Sequence, residues 1–168
     1  MSLCKTICLD YDEEMKNTRK LLERVVLNDE NRTFAPHTKS MPLNALATHV
    51  AELPSWIKMA LETDGMDLPA DFKPNTIATT EELVAAFDKC VAESRAAIDV
   101  ATDDDMAKSW SFSFAGQHVF TQQRTELVRS FINHLIHHRA QLGGYLRLQE
   151  IPVPGMYGPS ADDGWPPK

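Results

Sequence analysis

TQQRTELVRSFINHLIHHRAQLGGYLRLQ, residues 121–149, is the longest stretch of the chain that keeps a single periodicity. Its apolar residues Leu127, Phe131, Leu135, Leu142 and Leu146 recur at the spacing that gathers side chains on one face of a helix. A long helix from Thr121 to about Gln149 is therefore expected, with that face turned inward. Two imidazoles share the face. His134 and His138 lie four residues apart, so they stand one turn above the other and can reach a common ion. Gln141 and Tyr145 sit beside them, which places the rings toward the interior, where an unpaired polar group is costly and must find a partner.

Three further helical patterns precede this one. Met15, Thr18, Leu22, Val25 and Val26 form a stripe from Asp10 to about Val26, opposite Asp12, Glu13, Lys16, Arg19 and Lys20. Residues 28–40, NDENRTFAPHTKS, read as a loop; Ser40 then offers an N-cap and Pro42 suits a first helical turn. From Pro42 to about Thr63, Leu46, Val50, Leu53, Ile57, Ala60 and Leu61 make a second stripe, and His49 falls inside it. The stretch from Asp64 to Thr80 carries Gly65, Pro69 and Pro74 and reads as a loop, ending at Thr79 and Glu82 with the spacing of a capping box. Leu83, Phe87, Val91, Ser94, Ile98 and Ala101 mark the third helix.

Between the third helix and the last, Asp103, Asp104 and Asp105 read as an N-cap and first-turn charge that complements a helix dipole; consecutive residues point apart, which disfavours a shared metal. Trp110, Phe112 and Phe114 alternate with serines, then Ala115–Gln117 allows a turn before His118, Val119 and Phe120, so a short extended or hairpin-like insertion is expected. The tail from Ile151 to Lys168 is too rich in Pro and Gly to be regular, and its Tyr157 and Trp165 suggest packing on the body. No repeat or linker divides the chain. The expected fold is all-α: one domain over residues 1–168, an antiparallel four-helix bundle with the hairpin insertion before the last long helix.

At 168 residues the chain is long enough to bury one sizeable core, and 43% hydrophobic with 24% charged residues is ordinary globular usage. A formal net charge of −7 argues against a nucleic-acid partner, whose phosphates demand Lys and Arg. No apolar run approaches the length that spans a bilayer and the N-terminus lacks a leader pattern, so a cytoplasmic protein without a membrane partner is expected. Three cysteines, Cys4, Cys8 and Cys90, are too few for a disulfide framework or a Cys-rich zinc module and read as reduced and structural.

A third imidazole, His49, occupies an inward position on another helix, and facing helices of a bundle bring such side chains within metal reach. Three neutral imidazoles on one ion leave positions open for water or substrate. Each histidine alone is more often a hydrogen-bonded core residue, and spacing by itself leaves the two readings evenly balanced. His37, His118 and His137 read as non-ligands, with His37 the nearest to the pocket. Gln141 and Glu52 are candidates to hold the unligated ring nitrogens of His138 and His49. Arg124 and Arg139 are candidates for anion recognition, against surface salt bridges as the simpler reading. Cys90 reads as a small buried hydrophobe more than as a nucleophile.

PHTKSMPLNALATHVAELPSW (36–56) and NHLIHHRAQLGGYLRLQEIPVPGMYGPSADD (133–163) together resemble the DinB-like proteins of bacteria, over nearly the whole chain. The specific signals are the histidine of the second helix, the HxxxHRxQ pattern from His134 to Gln141, the continuation Tyr145-Leu146-Arg147 and the tail Pro-Gly-X-Tyr-Gly-Pro-Ser. The resemblance implies a four-helix bundle holding one divalent metal on His49, His134 and His138, with zinc or nickel ahead of iron and manganese. It further implies a metal-dependent enzyme of the wider class that uses small thiols: a bacillithiol-, mycothiol- or glutathione-type transferase, an isomerase or a hydrolase. The expected partners are a small-molecule substrate or thiol and a second copy of the chain in a homodimer.

Two other functions compete. One is a non-catalytic stress-related helical dimer with a structural metal, which predicts a closed site. The other is a small-molecule binding module whose pocket wall is Trp110, Phe112 and Phe114.

Overall fold

The computed structural model describes residues 3–163, with the side chains of residues 3–5 and 8 left out. The expectations for the thiols of Cys4 and Cys8, and for Trp165, lie outside the described residues. Four long helices carry the core: α1 (Leu3–Leu22), α2 (Leu43–Glu62), α3 (Thr80–Val100) and α5 (Arg124–Leu148). A short helix, α4 (Asp103–Ala107), and three strands, β1 (Gly65–Leu68), β2 (Ser109–Phe114) and β3 (Gln117–Gln123), are the other elements among the described residues. Among the described residues, no helix is long and apolar enough to cross a membrane.

The first helix begins about two turns before the expected Asp10. Ile7 and Tyr11 extend the buried stripe of Met15, Thr18 and Leu22 backward at helical spacing. Helical hydrogen bonds tighten at the other end, where Arg24 and Val25 donate to Leu21 and Leu22 three residues back, so Val25 is buried while Val26 turns out to solvent. Pro42, not Ser40, takes the N-cap position of α2, without a side-chain cap. At α3, Thr79 accepts the backbone N–H of Glu82, one half of the expected capping box. Thr102 and Asp105 close a reciprocal capping box on α4, so the three aspartates serve a helix start.

α1 packs chiefly on α3 and α5, and α2 on the same two helices. Helices consecutive in sequence, α1 with α2, therefore stand across the diagonal of the bundle, joined by the loop over residues 23–42. That placement makes α2 and α5 neighbours, and the face between them carries the histidines. Leu46, Val50, Leu53, Ile57, Leu135, Leu142 and Leu146 fill the shared core behind them. Arg139, one residue past His138, faces α1 instead.

The all-α expectation needs correction, because the insertion is a three-stranded sheet in the order β1-β2-β3. β2 and β3 form the expected hairpin, closed by Ala115 and Gly116 at φ of 50° and 77°. β1 lies in the stretch whose sequence reads as loop. It runs parallel to β2, with Gly65 opposite Ser111 and Leu68 opposite Phe114. A side chain on Gly65 would put its Cβ 2.6 Å from the Ser111 carbonyl oxygen, so this glycine serves close strand approach and not a turn. The sheet is pinned to the bundle by Trp110, whose indole N–H donates to Thr63 Oγ1 at 3.0 Å.

Candidate metal centre

His49 projects from the middle of α2, and His134 and His138 from successive turns of α5. One ring nitrogen from each lies within 4.8 Å of the other two, and the three residues are half-buried. His49 Nε2 and His134 Nε2 face each other at 3.3 Å. Two imidazole nitrogens so placed must share either a proton or a cation, since two lone pairs repel. About 2.0–2.1 Å from zinc to each nitrogen in tetrahedral coordination gives an edge of about 3.3–3.4 Å, so the spacing suits a common ion.

The protonation state suits it as well. Burial, then the neighbouring His138 and His134 rings, pushes His49 down to about 4. Burial likewise lowers His134 and His138. All three are neutral near pH 7, with lone pairs available. Protons therefore compete for them only below the pH near 6 expected of ordinary imidazoles. Before any metal is added, the sign for stability follows from the lowered folded value: the unfolded chain takes up protons first as pH falls below about 6.5. The melting temperature of metal-free protein is expected to drop between pH 6.5 and 4, and His49→Gln should flatten that drop. A profile identical in both proteins would show that His49 is not buried neutral.

Gln141 holds the outer nitrogen of His138. Its Oε1 can only accept, so His138 Nδ1 donates the 2.7 Å bond and leaves Nε2 free. Gln141→Leu is expected to weaken metal affinity about 10–100-fold while the ligands remain, read by competitive zinc titration. Glu52, the corresponding expectation for His49, meets Asn75 Nδ2 at 3.4 Å instead. Trp56 was not singled out from the sequence, although it lies two helical turns past His49 on the same face. Its ring packs edge-on against His49 and His134, with centroids 5.5 Å away in both cases, and walls the cluster on one side.

The remaining candidates fall elsewhere. His37 is exposed and its Nδ1 accepts the N–H of Lys39, so it does not line the site. His118 meets Thr121 on the hairpin, and His137 stacks edge-on beside His138 but is exposed and outside the three-nitrogen cluster. Cys90 is half-buried and its thiol is pushed up, first by burial and then by the Glu52 charge, which disfavours a thiolate nucleophile.

Neither arginine is a free anion receptor, and both side chains are buried, although the Asp64 partner of Arg124 is exposed. Arg124 is buried and donates to the Thr63 carbonyl and Asp64, tying the start of α5 to the end of α2. Arg139 is buried against Glu14 at 2.6 Å and also donates to Thr18 Oγ1 and Tyr157 Oη. Tyr157 Oη in turn donates to the Glu14 carboxylate at 2.8 Å. The tail is thus strapped to the bundle through a tyrosine whose ring is largely exposed, and Arg147 with Asp162 forms a second tie.

A family model of the DinB superfamily matches residues 10–142. No curated protein matches the chain significantly. Among solved structures, a DinB-like protein from Bacillus cereus superposes with a TM-score of 0.69 at 18% identity, covering 91% of this chain and 97% of its own. A DinB-like protein from Bacillus subtilis gives 0.64 at 17% identity, covering 88% and 95%. YfiT from Bacillus subtilis, a probable metal-dependent hydrolase with an unusual four-helix bundle topology, gives 0.62 at 13% identity, covering 89% of each chain. At these identities the likeness is one of fold. With the family match spanning most of its length, the chain belongs to the DinB superfamily.

Proposed function

We propose that this protein is a metal-dependent enzyme that binds one divalent ion on His49, His134 and His138 and activates a small thiol or water against an electrophilic small molecule. The observation that carries the reading is the meeting of three neutral imidazole nitrogens on two packed helices, with an apolar cavity touching His134. When bound, a divalent ion on uncharged imidazoles keeps its full positive charge and lowers the pKa of a thiol or water at an open position. Zinc and nickel are the preferred occupants on the nitrogen donor set and the spacing of the His49 and His134 nitrogens.

The chain's own part is positional. Gln141 fixes the tautomer and orientation of His138, Trp56 limits the rotation of His49 and His134, and burial keeps the rings unprotonated. The cavity beside His134 favours catalysis over a purely structural ion, because a structural site needs no space next to a ligand.

Protein purified without a nickel column is expected to carry about one zinc or nickel ion per chain by elemental analysis. Loaded protein should speed the disappearance of glutathione or bacillithiol with monochlorobimane, forming the C–S bond and releasing chloride and a proton. Faster consumption of monochlorobimane without thiol would point to water as the nucleophile. Metal without either activity would leave a structural ion; no metal would remove the proposal.

A further inference from the structure

A cavity of about 240 Å³ lies between the sheet and the adjoining ends of α2 and α5. Resting on the functional reading above, we infer that it seats an uncharged, apolar and preferably aromatic group of the substrate, holding that group against the face of the metal cluster formed by His134.

The sheet supplies one wall, in which Trp110, Phe112 and Phe120 gather with ring centroids 5.6–6.5 Å apart. Met66 of β1 and Met59 of α2 add flexible thioethers, which fill irregular space and adapt to a guest. Trp56 and Phe131, in edge contact at 5.4 Å, line the helix side of this half-open space, and His134 lies at the end nearest the cluster. Trp110 has already spent its single donor on Thr63. No carboxylate, ammonium or guanidinium lines the cavity among the described residues. A charged guest would lose its hydration there without compensation, whereas an apolar one loses nothing.

Size agrees with this chemistry. An enclosed apolar cavity of roughly 150 Å³ takes benzene, and this half-open one is larger, with room for a substituted ring or a small fused bicycle. Phe114, once expected in the wall, does not contribute: it sits at the hairpin end and is 45% exposed.

The test uses fluorobenzene as a neutral probe and benzoate as its charged counterpart, followed by ¹⁹F and methionine-methyl NMR of the whole protein. Saturable fluorobenzene binding is expected, with shifts at the Met59 and Met66 methyls and not at Met15, Met41, Met106 or Met156; benzoate should bind at least about tenfold more weakly. Met66→Trp, which fills the space from the edge strand, should cost fluorobenzene about tenfold or more in affinity. If that variant does not fold, the methyl shifts of wild type decide alone. His138→Ala should bind the probe as wild type does, because the cavity needs no metal. Fluorobenzene binding in protein that never takes up metal would therefore remove the enzyme reading but not the cavity. Absent or unsaturable binding, shifts at other methyls, or equal affinity for benzoate in metal-free protein would overturn the inference, whether or not the protein takes up metal.

Discussion

His138→Ala is expected to reduce bound metal from about one ion per chain to a small fraction of that. Four-ligand structural zinc sites bind with about 10–16 kcal/mol at neutral pH, so one ligand accounts for about 3–4 kcal/mol, or a hundredfold to a thousandfold in affinity. The loss should approach that value, because His138 presents its Nε2 with Nδ1 already committed to Gln141, and a methyl group offers no donor. The fold should survive the change, since His138 is half-buried and the core of α5 rests on Leu135, Leu142 and Leu146. The control is His137→Ala: the ring is adjacent in sequence and 5.0 Å from His138 by centroid, yet exposed and outside the cluster. Elemental analysis of the two variants beside wild type reads the difference. Equal metal in His138→Ala and wild type would mean that the ion sits elsewhere.

Arg139→Ala should strongly destabilise the protein. The Arg139 and Glu14 side chains are 3% and 13% exposed, so the pair meets with little water around it. Removing one partner of a buried ion pair costs about 3–5 kcal/mol, because the other charge is left without compensation. Tyr157 Oη would remain on the Glu14 carboxylate, and the guanidinium bonds to Thr18 Oγ1 and the Glu14 carbonyl would vanish. For a domain of this size the loss corresponds to a drop of about 6–20 °C in Tm. Urea denaturation should show the same loss. The double variant Glu14→Gln with Arg139→Met should recover most of it, since neither uncompensated charge remains. A single variant within about 1 kcal/mol of wild type would show that the pair is solvated.

Together the two substitutions explain the HRxQ part of the helix motif. His138 faces α2 and the cluster, Arg139 faces α1 and the tail, and Gln141 returns to His138. Neighbouring positions on a helix point about a third of a turn apart, so one short motif serves two faces. The glycine and tyrosine of the tail motif belong to the same arrangement. Gly155 approaches the Gly158 carbonyl too closely for any side chain, and Tyr157 reaches Arg139 and Glu14.

Much of this architecture was legible in residue order alone. The period of Leu127 to Leu146 identified α5, the inward placement of His49, His134 and His138 named the cluster, and Thr79 marked the start of α3. Each of these depends on local geometry: helical repeat and capping act over three to four residues, within the reach of a sequence pattern. Three features depended on distant partners. β1 is four residues long and contains Gly and Asp, both poor in strands, and it exists through pairing with β2 more than forty residues later. Arg124 and Arg139 carry the same charge as any surface arginine, and only the burial of their side chains, Arg124 on the Thr63 carbonyl and Arg139 on Glu14, distinguishes them. The cavity required three separated segments to meet, α2, the sheet and the start of α5. The sequence determined the helices and put the three imidazoles on inward faces, because periodicity is a local property. The tertiary structure decided the 3.3 Å approach of His49 to His134, the role of each arginine and the apolar space beside the cluster, because these arise only when distant side chains exclude water together.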